Sequence, residues 1–165
     1  MDAPSALEAT PTQERTTMDR TSERELVVTR TIDGPAHIVF EAWTDPELLR
    51  RWWVPKSVPI TLLSCEMDVR TGGTYRFVFQ HPSAPEGVAF FGRYLEVSPH
   101  SRLVWTNEEG GDAGQISTMT LEDRGDTTRM VLHELYPSGE AFDAGAGAYD
   151  GMPESFDQLD ALLAG

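Results

Sequence analysis

Three of the four tryptophans in this chain lie within eleven positions, from Trp43 to Trp53. Burying one indole removes roughly 150–250 Å² from water, so exposed indoles would forfeit much of the free energy that folds the chain. The segment is therefore a core element, the wall of a pocket or a docking surface. Trp43 shares a predicted helix face with Val39 and Phe40 and is expected in the core. Trp52 and Trp53 are adjacent and cannot both face that core, so we expect one in the core and the other at a pocket.

The hydrophobic pattern predicts a strand, two short helices, six further strands and a C-terminal helix. Residues 26–32 are rich in β-branched side chains and end at Asp33-Gly34-Pro35, where the first helix begins. Residues 60–135 have the alternation of six strands joined by short turns. This order predicts an α+β fold in which a seven-stranded antiparallel sheet wraps a long C-terminal helix. We expect that helix to break near residues 151–153, because Gly and Pro are unfavourable inside helices.

The domain organisation is predicted from the change in composition near residue 23. Residues 1–22 are rich in Thr, Ser, Glu and Pro and nearly lack apolar side chains, which is typical of a disordered tail. Residues 23–165 have a length that suits a single domain with one core.

The net charge is −14, and the acidic residues are concentrated in the second part of the chain. Residues 108–165 contain 13 acidic residues, against Arg124 and Arg129 as the basic ones. Such a surface repels phosphate backbones and anionic lipids, which argues against nucleic-acid binding and membrane insertion. We expect a solvated face, with docking to a basic protein as the alternative. The single cysteine, Cys65, excludes an internal disulfide and favours a reducing, cytoplasmic location.

Motifs for catalysis and cofactor binding are weak in this sequence. Residues 71–74 (Thr-Gly-Gly-Thr) predict a hairpin turn rather than a phosphate-binding loop, so ATP hydrolysis is not expected. The four histidines, His37, His81, His100 and His133, fall on different predicted elements, so no metal site and no cofactor are expected.

Two polar positions are candidates for a functional role. His133 and Glu134 end the last predicted strand, where neighbouring side chains point to opposite faces, so one of the two could face a cavity as a general acid or base. The sequence leaves open which one. Arg93 shares its predicted face with apolar residues, and it either extends to solvent or anchors an acidic ligand.

The predicted interior is rich in aromatic and methionine side chains, and a subset of them would bound a ligand cavity. The candidate ligand-binding residues are Trp43, Trp52, Trp53, Met67, Tyr75, Phe77, Phe79, Phe91, Arg93, Trp105, Met119, Met152 and Phe156.

Four local runs occur in a familiar order along residues 25–163. They are Phe40-Glu41-Ala42-Trp43-Thr44-Asp45-Pro46-Glu47 with Trp52-Trp53; Gly92-Arg93-Tyr94-Leu95-Glu96-Val97-Ser98-Pro99 with Arg102-Leu103-Val104-Trp105-Thr106; Thr127-Thr128-Arg129-Met130-Val131-Leu132-His133-Glu134; and Gly151-Met152-Pro153-Glu154-Ser155-Phe156-Asp157-Gln158-Leu159. Together they resemble the START-like (SRPBCC) superfamily, in the branch of homologues of the activator of heat shock protein 90 ATPase.

The resemblance implies a helix-grip fold, in which the C-terminal helix lies over the sheet and a hydrophobic cavity separates the two. It implies binding of a hydrophobic small molecule or lipid. Two alternatives stay open: a cyclase- or dehydratase-like enzyme acting on an apolar carbonyl compound, and a stress-related, co-chaperone-like interaction protein. A protein partner or a homodimer is compatible with each of them.

Overall fold

The computed structural model describes residues 16–108, 114–145 and 150–164, which form one antiparallel sheet of eight strands and four helices. In chain order the elements are β1 (Thr16–Ser22), β2 (Glu25–Ile32), α1 (Ala36–Thr44), α2 (Pro46–Trp52), β3 (Thr61–Met67), β4 (Thr74–His81), β5 (Ala84–Ser98), β6 (Arg102–Asn107), β7 (Gln115–Asp123), β8 (Thr128–Leu135), α3 (Gly139–Gly145) and α4 (Met152–Ala164). The strand order is β1-β2-β8-β7-β6-β5-β4-β3.

The predicted start signals of the two early helices are confirmed. α1 begins directly after Pro35, and α2 begins with Pro46 at its first position. The side chain of Asp45 caps α2 by accepting a hydrogen bond of 2.9 Å from the backbone N–H of Glu47. The cap and the proline together turn the chain between the helices and bring the tryptophan segment back onto the inner face of the sheet.

The predicted α+β, helix-grip arrangement is confirmed, and α4 lies across the inner face of the sheet. The side chain of Arg30, on the inner face of β2, is buried and contacts two carboxylates of α4. Its Nη2 atom lies 2.6 Å from Asp160 and 2.7 Å from Asp157. These ion pairs hold the C-terminal helix against β2, beside a core that includes Phe156 and Leu159.

The sheet has eight strands rather than the predicted seven, because residues 16–22 form β1 instead of belonging to a disordered tail. Its anchoring contacts are largely polar, which explains why apolar content did not reveal it. Thr16 Oγ1 accepts a hydrogen bond of 2.8 Å from Arg30, and the guanidinium of Arg20 lies 3.9 Å from the ring centroid of Phe142. Residues 1–15 of the predicted tail lie outside the described residues.

The C-terminal helical region is shorter than predicted. α4 has 13 residues and begins at Met152, within the expected break, while α3 is a separate short helix. Residues 146–149 between them lie outside the described residues. The turn between β4 and β5 is short, because β4 continues to His81 and β5 resumes at Ala84.

Candidate ligand cavity

A cavity of about 80 Å³ lies between α1 and α2 on one side and the inner face of β3 to β6 on the other. Its wall is almost entirely apolar or aromatic. The lining residues are Trp43, Leu49, Trp53, Met67, Tyr75, Phe77, Phe79, Phe90, Tyr94, Leu103, Trp105 and Asn107.

The position of the cavity differs from the prediction, which placed it between the sheet and the C-terminal helix. None of the lining residues belongs to α4. Phe156 and Leu159 of α4 are fully buried, and the Phe156 ring lies 6.3 Å from that of Trp52 and 6.4 Å from that of Trp43. Because α4 packs directly on these indoles, the open space is left on the other side of them.

The adjacent residues Trp52 and Trp53 lie in different surroundings, as expected for neighbouring side chains. Trp52 is fully buried outside the cavity wall, and its Nε1–H donates a hydrogen bond of 3.0 Å to the carbonyl of Ala42. Trp53 is half-buried and lines the cavity. Trp43 packs edge-to-face on both, with ring centroids 5.1 and 5.5 Å away, so it is a core residue whose free side forms part of the wall.

One face of β4 supplies Tyr75, Phe77 and Phe79 to the wall. Phe77 is paired with Phe90 of β5, whose side chain also lines the cavity although 41% of it is exposed. The cavity is therefore open to solvent on the side of Phe90.

Phe91 and Arg93 do not line the cavity, in contrast to the prediction. They alternate with Phe90 and Gly92 along β5 and so project from the outer face of the sheet. The Arg93 side chain is 53% exposed, and its Nε atom lies 2.8 Å from Glu108. The hydrogen bond from the Thr106 hydroxyl and then the one from Arg93 lower the pKa of Glu108. Arg93 is thus a surface ion-pair residue.

Three other predicted wall residues lie in the core, away from the cavity. Met119 and Phe156 are fully buried and Met152 is 9% exposed, but none of them is in the wall. Met67 and Trp105, by contrast, do line the cavity.

The sequence reasoning missed Leu49, Phe90, Tyr94, Leu103 and Asn107. Tyr94 lies on the same face of β5 as Phe90 and Gly92, and this face was missed because the opposite face, which carries Phe91 and Arg93, was expected to be the inner one. Burial raises the pKa of the Tyr94 phenol, with smaller contributions from Cys65 and Asp68. Leu49 follows the helical spacing of α2 and was recognisable as a core-facing residue.

The structure separates His133 from Glu134. His133 projects outward, and its Nε2 atom lies 2.8 Å from Glu25, which lowers the pKa of that carboxyl group. Glu134 is 2% exposed on the inner face, where its Oε1 atom accepts hydrogen bonds from the side chains of Ser117 and Gln115. Glu134 is not in the cavity wall, but it is connected to it through Ser117.

The cavity has one polar corner, at the end of β6. The Tyr75 hydroxyl lies 2.7 Å from the carbonyl oxygen of Thr106 and 3.2 Å from Asn107 Oδ1. The backbone of β5 passes close to the same carbonyl at Gly92. A Cβ atom at this position would lie 2.0 Å from the Thr106 oxygen, so the position requires glycine. Asn107 Nδ2 in turn donates a hydrogen bond of 3.0 Å to Ser117 Oγ.

A second hollow lies between α2 and the start of β3 and includes Arg50 and Lys56. Its volume, about 390 Å³, exceeds that of the first cavity, but it is more open to solvent and its lining is more polar. The aromatic cavity is therefore the better candidate for binding an apolar ligand.

The described residues contain no group of three or more His, Cys, Asp or Glu side chains arranged to hold a metal ion. The ring centroids of His37 and His100 lie 6.2 Å apart. Among the described residues, no third side chain completes a metal-binding group with them. None of the helices described has the length and apolar character needed to cross a membrane.

Comparison with protein families gives a match over most of the chain. The family described as "Activator of Hsp90 ATPase homolog 1-like protein" matches residues 33–164. That match covers α1 through α4, including every residue of the cavity wall. No curated protein matches the chain.

Several solved structures share the fold. A protein from Nitrosomonas europaea is 26% identical with a TM-score of 0.76, covering 88% of this chain and 97% of its own. A protein from Chromobacterium violaceum is 26% identical with a TM-score of 0.70, covering 86% of this chain and 97% of its own. A protein from Rhodobacter sphaeroides is 23% identical with a TM-score of 0.79, covering 90% and 97%, and this likeness concerns the fold alone.

Proposed function

Since the chain belongs to the family of activator of Hsp90 ATPase homologue 1-like proteins, we propose that it binds a small hydrophobic molecule or lipid in the cavity between α1, α2 and the sheet. The observation that carries this proposal is the composition of the wall, in which aromatic rings from α1, β4, β5 and β6, with Trp53 directly after α2, surround a space open on one side. Aromatic walls with few polar groups are typical of sites for apolar ligands.

The size of the cavity limits how a ligand enters it. Ligand pockets for drug-sized molecules are typically about 300–1,000 Å³, whereas this cavity measures about 80 Å³. A ring or a short acyl segment is accommodated by small movements of the wall. A larger molecule extends past Phe79 and Phe90 through the open side.

The test is a titration with the apolar dye N-phenyl-1-naphthylamine, followed by its fluorescence. Phe90 and Phe91 form a matched pair, because they are adjacent and equally exposed, at 41% and 40%, but only Phe90 lines the cavity. We expect one saturable site in the unmodified protein. Phe90→Ala should weaken binding about tenfold, as expected when roughly half of a phenyl contact is lost, and Phe91→Ala should leave it unchanged.

Equal losses in the two variants would assign dye binding to the exposed apolar surface of β5 and contradict the proposal. Absence of saturation in the unmodified protein would contradict it as well. Circular dichroism of both variants provides the control for folding.

A second candidate function is a co-chaperone-like interaction, which the description of the family suggests. It is favoured by apolar side chains that are exposed on the outer face of β5, where Phe91 is 40% and Leu95 is 43% exposed. Stimulation of the ATPase activity of an Hsp90 protein, lost in Phe91→Ala and retained in Phe90→Ala, would support this function. No stimulation by the unmodified protein would contradict it.

A further inference from the structure

At the polar corner of the cavity, a chain of hydrogen bonds runs from Glu134 through Ser117 to Asn107. Glu134 determines which group donates and which accepts at each of these bonds. Oε1 of Glu134 accepts from the hydroxyl of Ser117. A serine hydroxyl has one hydrogen, so the Ser117 oxygen can act only as an acceptor toward its other neighbour. That neighbour is Asn107, which must therefore turn its Nδ2 atom toward Ser117 and its Oδ1 atom toward Tyr75.

This order leaves one donor at the cavity wall. Asn107 Nδ2 has two hydrogens, and one is given to Ser117. No second hydrogen bond joins this Nδ2 group to another described residue. Asn107 lines the cavity, so an oxygen of a ligand is the partner that would complete its hydrogen bonding.

The charge of the wall indicates which kind of oxygen this is. The wall residues include no Arg, Lys or His, and Arg93 lies on the outer face of the sheet. A ligand carboxylate would be buried there without a cation, which is costly. A neutral carbonyl oxygen accepts one hydrogen bond and needs no counter-charge.

We infer that the cavity binds a neutral apolar carbonyl compound whose oxygen accepts a hydrogen bond from Asn107. This inference rests on the proposed function. Glu134 is a positioning residue, which acts through Ser117 to keep the Asn107 amide in the donating orientation. Gln115 supports it by donating a hydrogen bond of 2.9 Å to the same carboxylate oxygen.

The test compares two probes of nearly equal shape, acetophenone and α-methylstyrene, in which a C=O group is replaced by C=CH₂. Their dissociation constants are measured by displacement of N-phenyl-1-naphthylamine. The readout is the ratio of the two constants in each protein, because a general loss of packing weakens both probes and leaves the ratio unchanged.

Asn107→Leu should shift this ratio about fivefold toward α-methylstyrene, which corresponds to the loss of one hydrogen bond. Glu134→Gln should shift it in the same direction, because a glutamine amide can donate to Ser117 and so reverse the Asn107 amide. Glu25→Gln, on the solvent-exposed end of β2, is the matched control and should leave the ratio unchanged.

The outcomes separate this inference from the proposed function. If both probes bind and the ratio in Asn107→Leu equals that of the unmodified protein, the inference is overturned while the cavity remains a binding site. If Asn107→Leu shifts the ratio and Glu134→Gln does not, the role of Glu134 is overturned. If the dye binds but neither probe displaces it, the inference is overturned while the cavity remains a binding site, whereas absence of saturable dye binding overturns the proposed function. Ser117→Ala interrupts the same chain of hydrogen bonds and replaces Glu134→Gln if that variant does not fold.

Discussion

The guanidinium of Arg30 lies 2.6 Å from a carboxylate oxygen of Asp160 and thereby ties the inner face of β2 to α4. The Arg30 side chain is fully buried, while that of Asp160 is 11% exposed. Asp160 also accepts a hydrogen bond of 2.9 Å from the backbone N–H of Asp33, at the end of β2. Together with the pair that Arg30 forms with Asp157, this buried contact ties the C-terminal helix to the sheet.

Removing one partner of this pair should strongly destabilise the protein. Arg30→Ala leaves Asp160 buried without its counter-charge, and we expect a loss of about 3–5 kcal/mol in the free energy of unfolding. Asp157→Asn should cost less, about 0–1 kcal/mol, because the Asp157 side chain is 35% exposed and Arg30 keeps Asp160 as its counter-charge. Urea unfolding of the two variants measures both values. If the two variants lose similar free energies of unfolding, the Arg30–Asp160 pair adds little to stability and the prediction is wrong.

The two adjacent tryptophans should respond differently to truncation. Trp52→Ala removes a fully buried indole and its hydrogen bond to Ala42, and we expect a loss of about 3–5 kcal/mol. Trp53→Ala removes a half-buried wall residue, so its effect on stability should be smaller and its effect on dye binding larger. Chemical denaturation and dye titration of both variants measure these effects. A Trp53→Ala variant that binds the dye as well as the unmodified protein would remove Trp53 from the site.

The buried phenol of Tyr94 should make the fold sensitive to alkaline pH. Burial raises the pKa of this phenol above its ordinary value near 10. Below about pH 10 the group is neutral in both states, and its contribution to stability is fully present. As the pH rises further, the unfolded chain ionises while the folded one does not, so this contribution is progressively lost.

Comparison of Tyr94→Phe with the unmodified protein isolates this effect. The free energy of unfolding should fall less between pH 9 and pH 11 in the variant, as measured by urea denaturation at each pH. An equal fall in both proteins would mean that Tyr94 ionises as readily in the folded state as in the unfolded one.

The sequence predicted the α+β fold because its determinants are local. Asp45 and Pro46 mark a helix start by themselves, and adjacency alone requires Trp52 and Trp53 to face different surroundings. β1 escaped prediction because its anchors are polar and distant in sequence: Thr16 needs Arg30, and Arg20 needs Phe142. The spacing of apolar residues in the sequence does not predict contacts of this kind.

The cavity wall was predictable on β4, where aromatic and polar residues alternate, but not on β5. There Phe90 and Phe91 are adjacent, so both faces are apolar and alternation does not identify the inner one. The pairing of Phe77 with Phe90 identifies the inner face, and that pairing depends on the short turn at residues 82–83. Asn107 is polar and so carries no core signal in the sequence, and it becomes part of the site because β6 continues to it.

Methyl NMR of the methionines tests most directly whether the aromatic cavity binds an apolar ligand. Met67 lines the cavity, whereas Met119 is fully buried outside its wall. On titration of the unmodified protein with N-phenyl-1-naphthylamine, the Met67 methyl resonance should shift and reach saturation, because an aromatic ring then lies beside it. The Met119 methyl should shift much less. A dye that binds while the Met67 resonance stays in place, or that shifts all methionine methyls alike without saturation, would contradict the account.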